Sequence, residues 1–266
     1  NDISTILIDN LQTNISSFLL SKLSENKIVL IVVDEKHFPC GVLLPFNGKV
    51  RMMEAYKYQM SLDSNYIGNL WVKIVSNKIN NQAAVLEYAN QLGFIKLKNY
   101  TQNIILHDET NIEGTTASIY WKLLFSNSLD YYTRNCNNIR NDALNYGYAI
   151  LRSIIANSLT CKGFILHQGI HHCNQLNQFN LADDIIEPFR ALVDIEVYRM
   201  FEEEGVEDIL LSKDIKKRLL SIVDSIVVIN GEKFNLLSAI DKYTNSLFNS
   251  FKKQDISELI EISLWI

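Results

Sequence analysis

Proline and glycine are scarce, 3 and 10 in 266 residues, which leaves little room for a long disordered linker. Cys40, Cys136, Cys161 and Cys173 form neither a CxxC pair nor a regular framework, so reduced thiols of a cytosolic protein are expected. No apolar run approaches the roughly 20 residues of a membrane span and no charged-then-apolar leader opens the chain, so no membrane partner is expected. The first residues already read as a strand, and further N-terminal sequence is expected to precede them. A basic excess is missing too. The net charge of −5 argues against a protein that holds nucleic acid by bulk charge, and restricts any such site to a local basic strip or to a surface completed by a partner. What is present, 47% hydrophobic and 21% charged residues, is the composition of a globular protein with a real core.

Along the chain, Ile3 to Ile8 reads as a short strand. Asn14 to Ser24 reads as an amphipathic helix on Ile15, Phe18, Leu19 and Leu23. Ile28 to Val33 is a β-branched run expected to be buried on both faces, and Val42 to Phe46 is a further strand ended by Asn47-Gly48. No glycine-rich phosphate loop follows either strand, which disfavours a nucleotide-binding Rossmann unit. Helical patterns then cover Tyr66 to Gln91, Ile112 to Phe125, Asp142 to Ser158, Leu181 to Glu204, Ile215 to Val228 and Leu236 to Phe251. The predicted class is α+β: an incomplete N-terminal β-rich domain at 1–50, a linker at 51–65, and a larger all-α domain at 66–266 that carries the active site. Neither a coiled coil nor a solenoid is indicated. The acidic run EEEGVED at 202–208 reads as a solvated helix end.

The stretch from His167 to Asp194 concentrates titratable groups beside apolar surface: His167, His171 and His172, an Asn/Gln-rich connector, then DDIIEPFR. Asn180 reads as an N-cap with Asp183 at N3, and Leu181, Ile185, Phe189 and Leu192 form an apolar stripe. Asp184 and Glu187 are expected side by side on its flank. Pro188 lies too deep to be a first-turn proline and should bend the helix between these acids and Arg190. Taken alone, the acids would only cap a helix and pair with Arg190. His172, on a flexible polar loop, could swing its imidazole over them.

A second anomaly lies in NIEGTTASIYWKLLF at 111–125. Glu113 shares a face with Ala117, Tyr120, Trp121 and Leu124, and a carboxylate there needs a partner cation; Gly114 is expected to thin the helix for the approach of another element. Glu113 near a helix start also reads simply as an acid favouring the dipole.

Glu113, His172 and Glu187, with Asp184 as an accessory acid, make a mixed oxygen and nitrogen set that suits Mg or Mn better than closed structural zinc, and points to phosphodiester chemistry. His167, His171 and Cys173 raise a weaker zinc reading with no evident fourth ligand. His37 and His107 read as surface or packing histidines. No nucleophile motif of the Ser or Cys kind is present. Arg134, Arg140 and Arg152, with Asn141, Asn145, Tyr146 and Tyr148, could hold a DNA backbone and stack frayed bases, or pack as a partly exposed helix.

IEGTTASIYWKLLF and GIHHCNQLNQFNLADDIIEPFRALVD resemble the two signature motifs of the CRISPR-associated spacer-acquisition integrase family (Cas one), especially its type II branch. DALNYGYAILRS at 142–153 and LIVVDEKHFPCGVLLPFNG at 30–48 resemble further family segments in collinear order. The resemblance implies that Glu113, His172 and Glu187 are the metal ligands and catalytic residues, with Asp184 in a neighbouring acidic position; Arg134, Arg140, Asn145, Tyr148 and Arg152 stay the DNA-contact candidates read from their residue types. It implies a cytoplasmic bacterial homodimer that assembles with a small second adaptation protein (Cas two), and with other type II CRISPR proteins. Such an enzyme inserts double-stranded DNA with frayed ends into CRISPR repeat DNA, using Mg or Mn. The family opens with strands absent here, and Asp183 stands where a small residue is common. A hydrolytic metal nuclease and a DNA-holding scaffold without catalysis are the competing classes.

Overall fold

A computed structural model describes residues 3, 5–35, 38–45, 52–126, 132–134 and 137–266; His37, Cys136 and the Asn47-Gly48 pair lie outside the described residues. Strands β1 (Thr5–Ile8) and β2 (Val29–Val33) run parallel, joined through helix α1 (Ser17–Glu25), and β3 (Pro39–Leu43) pairs antiparallel with β2. Ser16 starts α1 by accepting from the Leu19 amide at 3.2 Å. Of the expected stripe only Leu23 is buried, while Phe18 and Leu19 face outward. Val32 breaks the expected two-faced burial of β2.

The span read as a linker contains helix α2 (Met52–Met60). Its buried Gln59 donates to the carbonyls of Ile165 (3.0 Å) and Gln168 (2.7 Å) and accepts from the Ile165 amide (2.9 Å). This clamps the segment that leads to the histidines.

Helix α3 (Ser64–Tyr88), capped by Asp63, is the central rod. Leu70, Trp71, Ile74, Val75, Ile79, Ala83, Val85 and Leu86 leave almost no surface to solvent. Its length of 25 residues lets one buried helix touch α4 (Gly93–Tyr100), α5 (Ile112–Leu124) and α8 (Arg190–Tyr198) in turn. Helix α6 (Ile139–Cys161) packs on α7 (Asn180–Ile185) and α8, and Gly147 permits the approach: a Cβ there would lie 2.5 Å from a Val193 methyl.

Pro188 divides the expected long helix as anticipated. Helix α7 stops at Ile185, a tight turn covers Glu187–Phe189, and α8 resumes at Arg190. The Pro188 carbonyl accepts from Asn81 of α3 at 2.8 Å. A wider turn at Arg199–Glu203 ends α8, and Glu202 there pairs with Arg140 at 3.0 Å, so the acidic run is not simply a solvated end.

The all-α expectation for 66–266 fails beyond α9 (Lys213–Leu220). The β-branched Ile226–Ile229 is strand β4, not helix, and it pairs with β5 (Glu232–Asn235). Asn230 (φ 51°) and Gly231 (φ 82°) form the two-residue turn, both left-handed as a primed hairpin turn requires. Helix α10 (Leu236–Lys253) and β6 (Ser263–Leu264), which completes this second sheet, follow. Among the described residues no helix is long and apolar enough to cross a membrane.

A buried polar junction ties α5, α6 and α8. The carboxylate of Asp194 accepts from the hydroxyls of Tyr120 (2.9 Å) and Tyr148 with no exposed surface. Burial pushes its pKa up to about 6, although both hydroxyls and the nearby Arg134 and Arg190 favour the anion. A folded-state value above the unfolded one means that the stability this acid contributes is fully present below about pH 4 and is lost as pH rises through 6. Asp194→Asn should therefore gain on the wild type across that window, by up to roughly 3 kcal/mol, in urea denaturation at stepped pH; a difference that does not change with pH would show that burial does not hold the proton.

Candidate metal centre

Glu113 lies in the first turn of α5, but its carboxylate does not cap the helix. Asp108 does, accepting from the amides of Ile112 (2.8 Å) and Glu113 (2.9 Å), and Asn111 accepts from Gly114 at 3.1 Å. A Cβ on Gly114 would lie 2.6 Å from the Asn111 side chain, so this glycine makes room for the cap and not for another element. With the helix start satisfied, Glu113 is free to reach the Lys78 ammonium at 2.6 Å. The partner cation demanded by a carboxylate on this face therefore comes from α3.

Glu187, at the break before α8, is buried and meets two cations: Arg190 Nε at 2.8 Å and Lys78 Nζ at 2.5 Å. Burial alone would raise its pKa, but Arg190 and Lys78 outweigh it and hold the carboxyl at about 2. The same pairing keeps Lys78 charged: burial opposes the ammonium, and Glu187 and Glu113 more than restore it. One lysine thus joins carboxylates from two separate elements.

Asp184 does not stand beside Glu187. It turns into the preceding loop, fully buried, and accepts from the amides of Ile170 (2.5 Å), His171 (3.1 Å) and His172 (3.1 Å) and from His172 Nδ1 (2.6 Å). The loop is accordingly pinned, contrary to the expected swinging tether. Asn180 is the first residue of α7 and not its cap; its amide donates to the carbonyls of His167 and Asn174, both at 3.0 Å. Gly169 permits the wrap, since a Cβ there would lie 2.3 Å from the His172 carbonyl oxygen and 2.8 Å from Asp184 Oδ2.

A carboxylate that already accepts three amides can only accept again, so Nδ1 of His172 carries a proton and Nε2 points away from Asp184. The hydrogen bond to Asp184 raises the His172 pKa above 6.5, and the charge of Glu187 adds to that rise. Trp71 of α3 stacks on His171 at 4.3 Å and meets His172 edge-on at 6.0 Å. Trp71 and Lys78 lie two turns apart on α3, so one helix supports both the histidine pair and the carboxylate pair.

The structure therefore joins Glu113 to Glu187 through Lys78, and fixes His172 on Asp184. Among the described residues no three His, Cys, Asp or Glu side chains stand close enough to hold a metal ion as they are. This covers the zinc reading of His167, His171 and Cys173; His171 is instead stacked on Trp71. His107 packs against α3 and bonds Ser64 at 3.1 Å. For Mg or Mn the donor chemistry fits: two carboxylates and an imidazole, with Glu187 Oε2 buried and lacking any aligned hydrogen bond despite its ion contact with Lys78. Reading the sequence missed Lys78, Trp71 and Asp108. The signal for the first was the polar run Asn77-Lys78-Ile79-Asn80-Asn81-Gln82 inside an otherwise apolar helix.

Beside Glu187 opens a cavity of about 220 Å³ lined by Arg134, Asn145, Tyr148, Arg152 and Arg190. Arg134 is fixed by Asn141 and Asn145, each at 2.6 Å, and lies over Trp121 and Tyr148. Arg152 is partly exposed and loosely paired with Asp183 at 3.6 Å. Arg140 lies elsewhere, engaged by Glu202 and stacked on Phe125 and Phe201. Asn141 and Tyr146 are buried, and the Tyr148 hydroxyl is taken by Asp194.

The sequence profile of the family described as CRISPR associated protein Cas1 matches residues 1–224. The CRISPR-associated endonuclease Cas1 of Neisseria meningitidis serogroup C (strain 8013) is 38% identical over 246 residues, covering 92% of this chain and 80% of that protein. CRISPR-associated endonuclease Cas1 1 of Francisella tularensis subsp. novicida (strain U112) is 27% identical over 94% of this chain and 86% of its own length. Among solved structures, a casposase bound to integration product superposes with a TM-score of 0.80 at 18% identity, over 96% of this chain and 80% of that one. A Cas1 protein from Thermotoga maritima superposes with a TM-score of 0.73 at 15% identity, over 94% and 86%. At such identities these two superpositions speak for the fold alone, whereas the profile and the 38% relative reach further: the chain belongs to the CRISPR-associated Cas1 family.

Proposed function

We propose that this protein is a metal-dependent DNA integrase of CRISPR adaptation, joining 3′-hydroxyl ends of captured DNA to a CRISPR repeat by transesterification. The observation that carries this reading is the convergence of Glu113 and Glu187, from separate elements, on one cation, together with a histidine whose tautomer is set by Asp184. Glu113, Glu187 and His172 Nε2 are the ligands. A bound Mg or Mn would supply a Lewis acid for the scissile phosphate and the charge that opposes its developing negative oxygens. The oxygen of the incoming 3′-hydroxyl forms the new P–O bond, the repeat strand's 3′-oxygen leaves, and the proton lost by the first is matched by the proton gained by the second. Asp184 serves by orienting the imidazole.

Arg134 and Arg152, with Asn145, face the DNA backbone from the cavity beside Glu187, while Arg140 and Tyr148 are retained by the fold. The casposase relative is described with its integration product, and two structural neighbours are Cas6-RT-Cas1–Cas2 complexes. On this reading the working form is a homodimer bound to Cas2, acting in the bacterial cytoplasm. The name endonuclease borne by the 38% relative favours a second reading, in which water replaces the 3′-hydroxyl at the same site.

Glu113→Gln and His172→Ala should each abolish joining of a labelled duplex to a repeat-bearing plasmid while keeping the circular dichroism spectrum of the wild type; persistence of joined product in either variant refutes the ligand assignment. Cut but unjoined plasmid from the wild type would select hydrolysis. Arg152→Ala should weaken duplex binding in a manner independent of sequence and lower the slope of log affinity against log salt by about one, as measured by fluorescence anisotropy across a salt series.

A further inference from the structure

Lys78, a cation shared by two carboxylates from separate elements, is a feature that a metal site does not call for. Its ammonium lies 2.6 Å from Glu113 Oε1 and 2.5 Å from Glu187 Oε2, so that it bridges the two carboxylates, and its side chain is 8% exposed. Arg190 holds the other oxygen of Glu187 at 2.8 Å. Two anions and two cations therefore meet where Lys78 and Glu187 are buried and Glu113 and Arg190 are partly exposed, and the charges of these four groups cancel.

Resting on the metal-dependent reading above, we propose that Lys78 holds the place of the divalent ion in the metal-free protein, and that Lys78 and Arg190 together keep that state neutral so that metal and DNA phosphate bind as a pair. The geometry gives two consequences. A divalent ion that takes both carboxylates must displace the ammonium, because one gap between two carboxylates cannot hold both cations at contact distance. A divalent ion beside Glu113, Glu187 and Arg190 would leave these groups with an excess of positive charge, and Asp183 in the neighbouring cavity is already shared with Arg152. A DNA phosphate supplies the missing anion, and it arrives beside Arg190, on the side where Arg134 and Arg152 line the neighbouring cavity. Metal affinity is then low without DNA and rises with it, and by linkage DNA affinity rises equally with metal. Without the Lys78 ammonium, buried Glu187 and partly exposed Glu113 would lose the cation they share.

The test is calorimetric titration of Mn into the chelator-treated full chain, alone and with a short saturating duplex, for the wild type and for Lys78→Met. The wild type should bind Mn weakly alone and at least about tenfold more tightly with the duplex. Lys78→Met should bind Mn at least about tenfold more tightly than the wild type in the absence of DNA, with a smaller further gain on adding it. Thermal unfolding supplies a reading independent of catalysis: in chelator the variant should melt below the wild type, and Mn should raise its melting temperature more. If Lys78→Met does not fold in chelator, Lys78→Gln, which keeps a donor without the charge, takes its place with the same expectations. Glu113→Gln serves as the control that Mn binds at this centre.

Equal Mn affinity of variant and wild type, with loss of binding in Glu113→Gln, overturns the role of Lys78 and leaves the metal reading standing. Mn affinity of the wild type unchanged by duplex overturns the pairing of metal and phosphate. No Mn binding in any protein, with or without DNA, overturns the metal reading and this inference with it.

Discussion

A buried lysine between two carboxylates is the constraint around which this molecule is arranged. Removing several charges from water is costly unless each finds a partner at contact distance, and the geometry that meets this demand is narrow. Glu113 must come from the start of α5, Glu187 from the break before α8, and Lys78 from the middle of the long central helix α3. The cap supplied by Asp108 and Asn111 relieves Glu113 of service to its own helix, and Pro188 interrupts the chain where Glu187 must turn toward α3. Local irregularities on both sides thus serve one non-local contact.

A second junction keeps that contact in register. Tyr120 follows Glu113 by two turns of α5, and Asp194 follows Glu187 by the same count of residues, and the two are hydrogen bonded at 2.9 Å. Two tie points along a pair of helices fix both their separation and their relative rotation, which a single contact cannot do. The cost is visible in Asp194, whose carboxyl is forced by burial toward its neutral form. Such tension is what a fold accumulates when polar groups are kept inside for the sake of a site.

Much of this was open to inspection in the primary structure, and what was hidden has physical causes. The stripes that predict α3, α5, α6 and α10 are strong because each helix buries a broad face, and the carboxylate of Glu113 on such a face is a contradiction that only a cation resolves. Lys78 escaped because a lysine in a long helix is ordinarily at the surface, and nothing local tells that its flank is covered by two other elements. Asp184 was placed beside Glu187 on the assumption of an even helix; the loop before it offered three amides with no other acceptor, and the carboxylate turned to them. The β4–β5 hairpin was overrun by extending α9, although Asn230-Gly231 between β-branched runs was a turn signal in plain view.

Gly169 gives the loop a property that its hydrogen bonds alone would not. With a methyl group at that position, the chain could not pass between the His172 carbonyl and Asp184, so the loop would have to bulge outward and carry the imidazole with it. The aim of the His172 ring is thereby delegated to an empty volume, one hydrogen atom wide, three residues upstream. Changes there would leave every polar group of the centre chemically intact and still misdirect it, a kind of damage that inspecting the imidazole and carboxylates alone would never reveal.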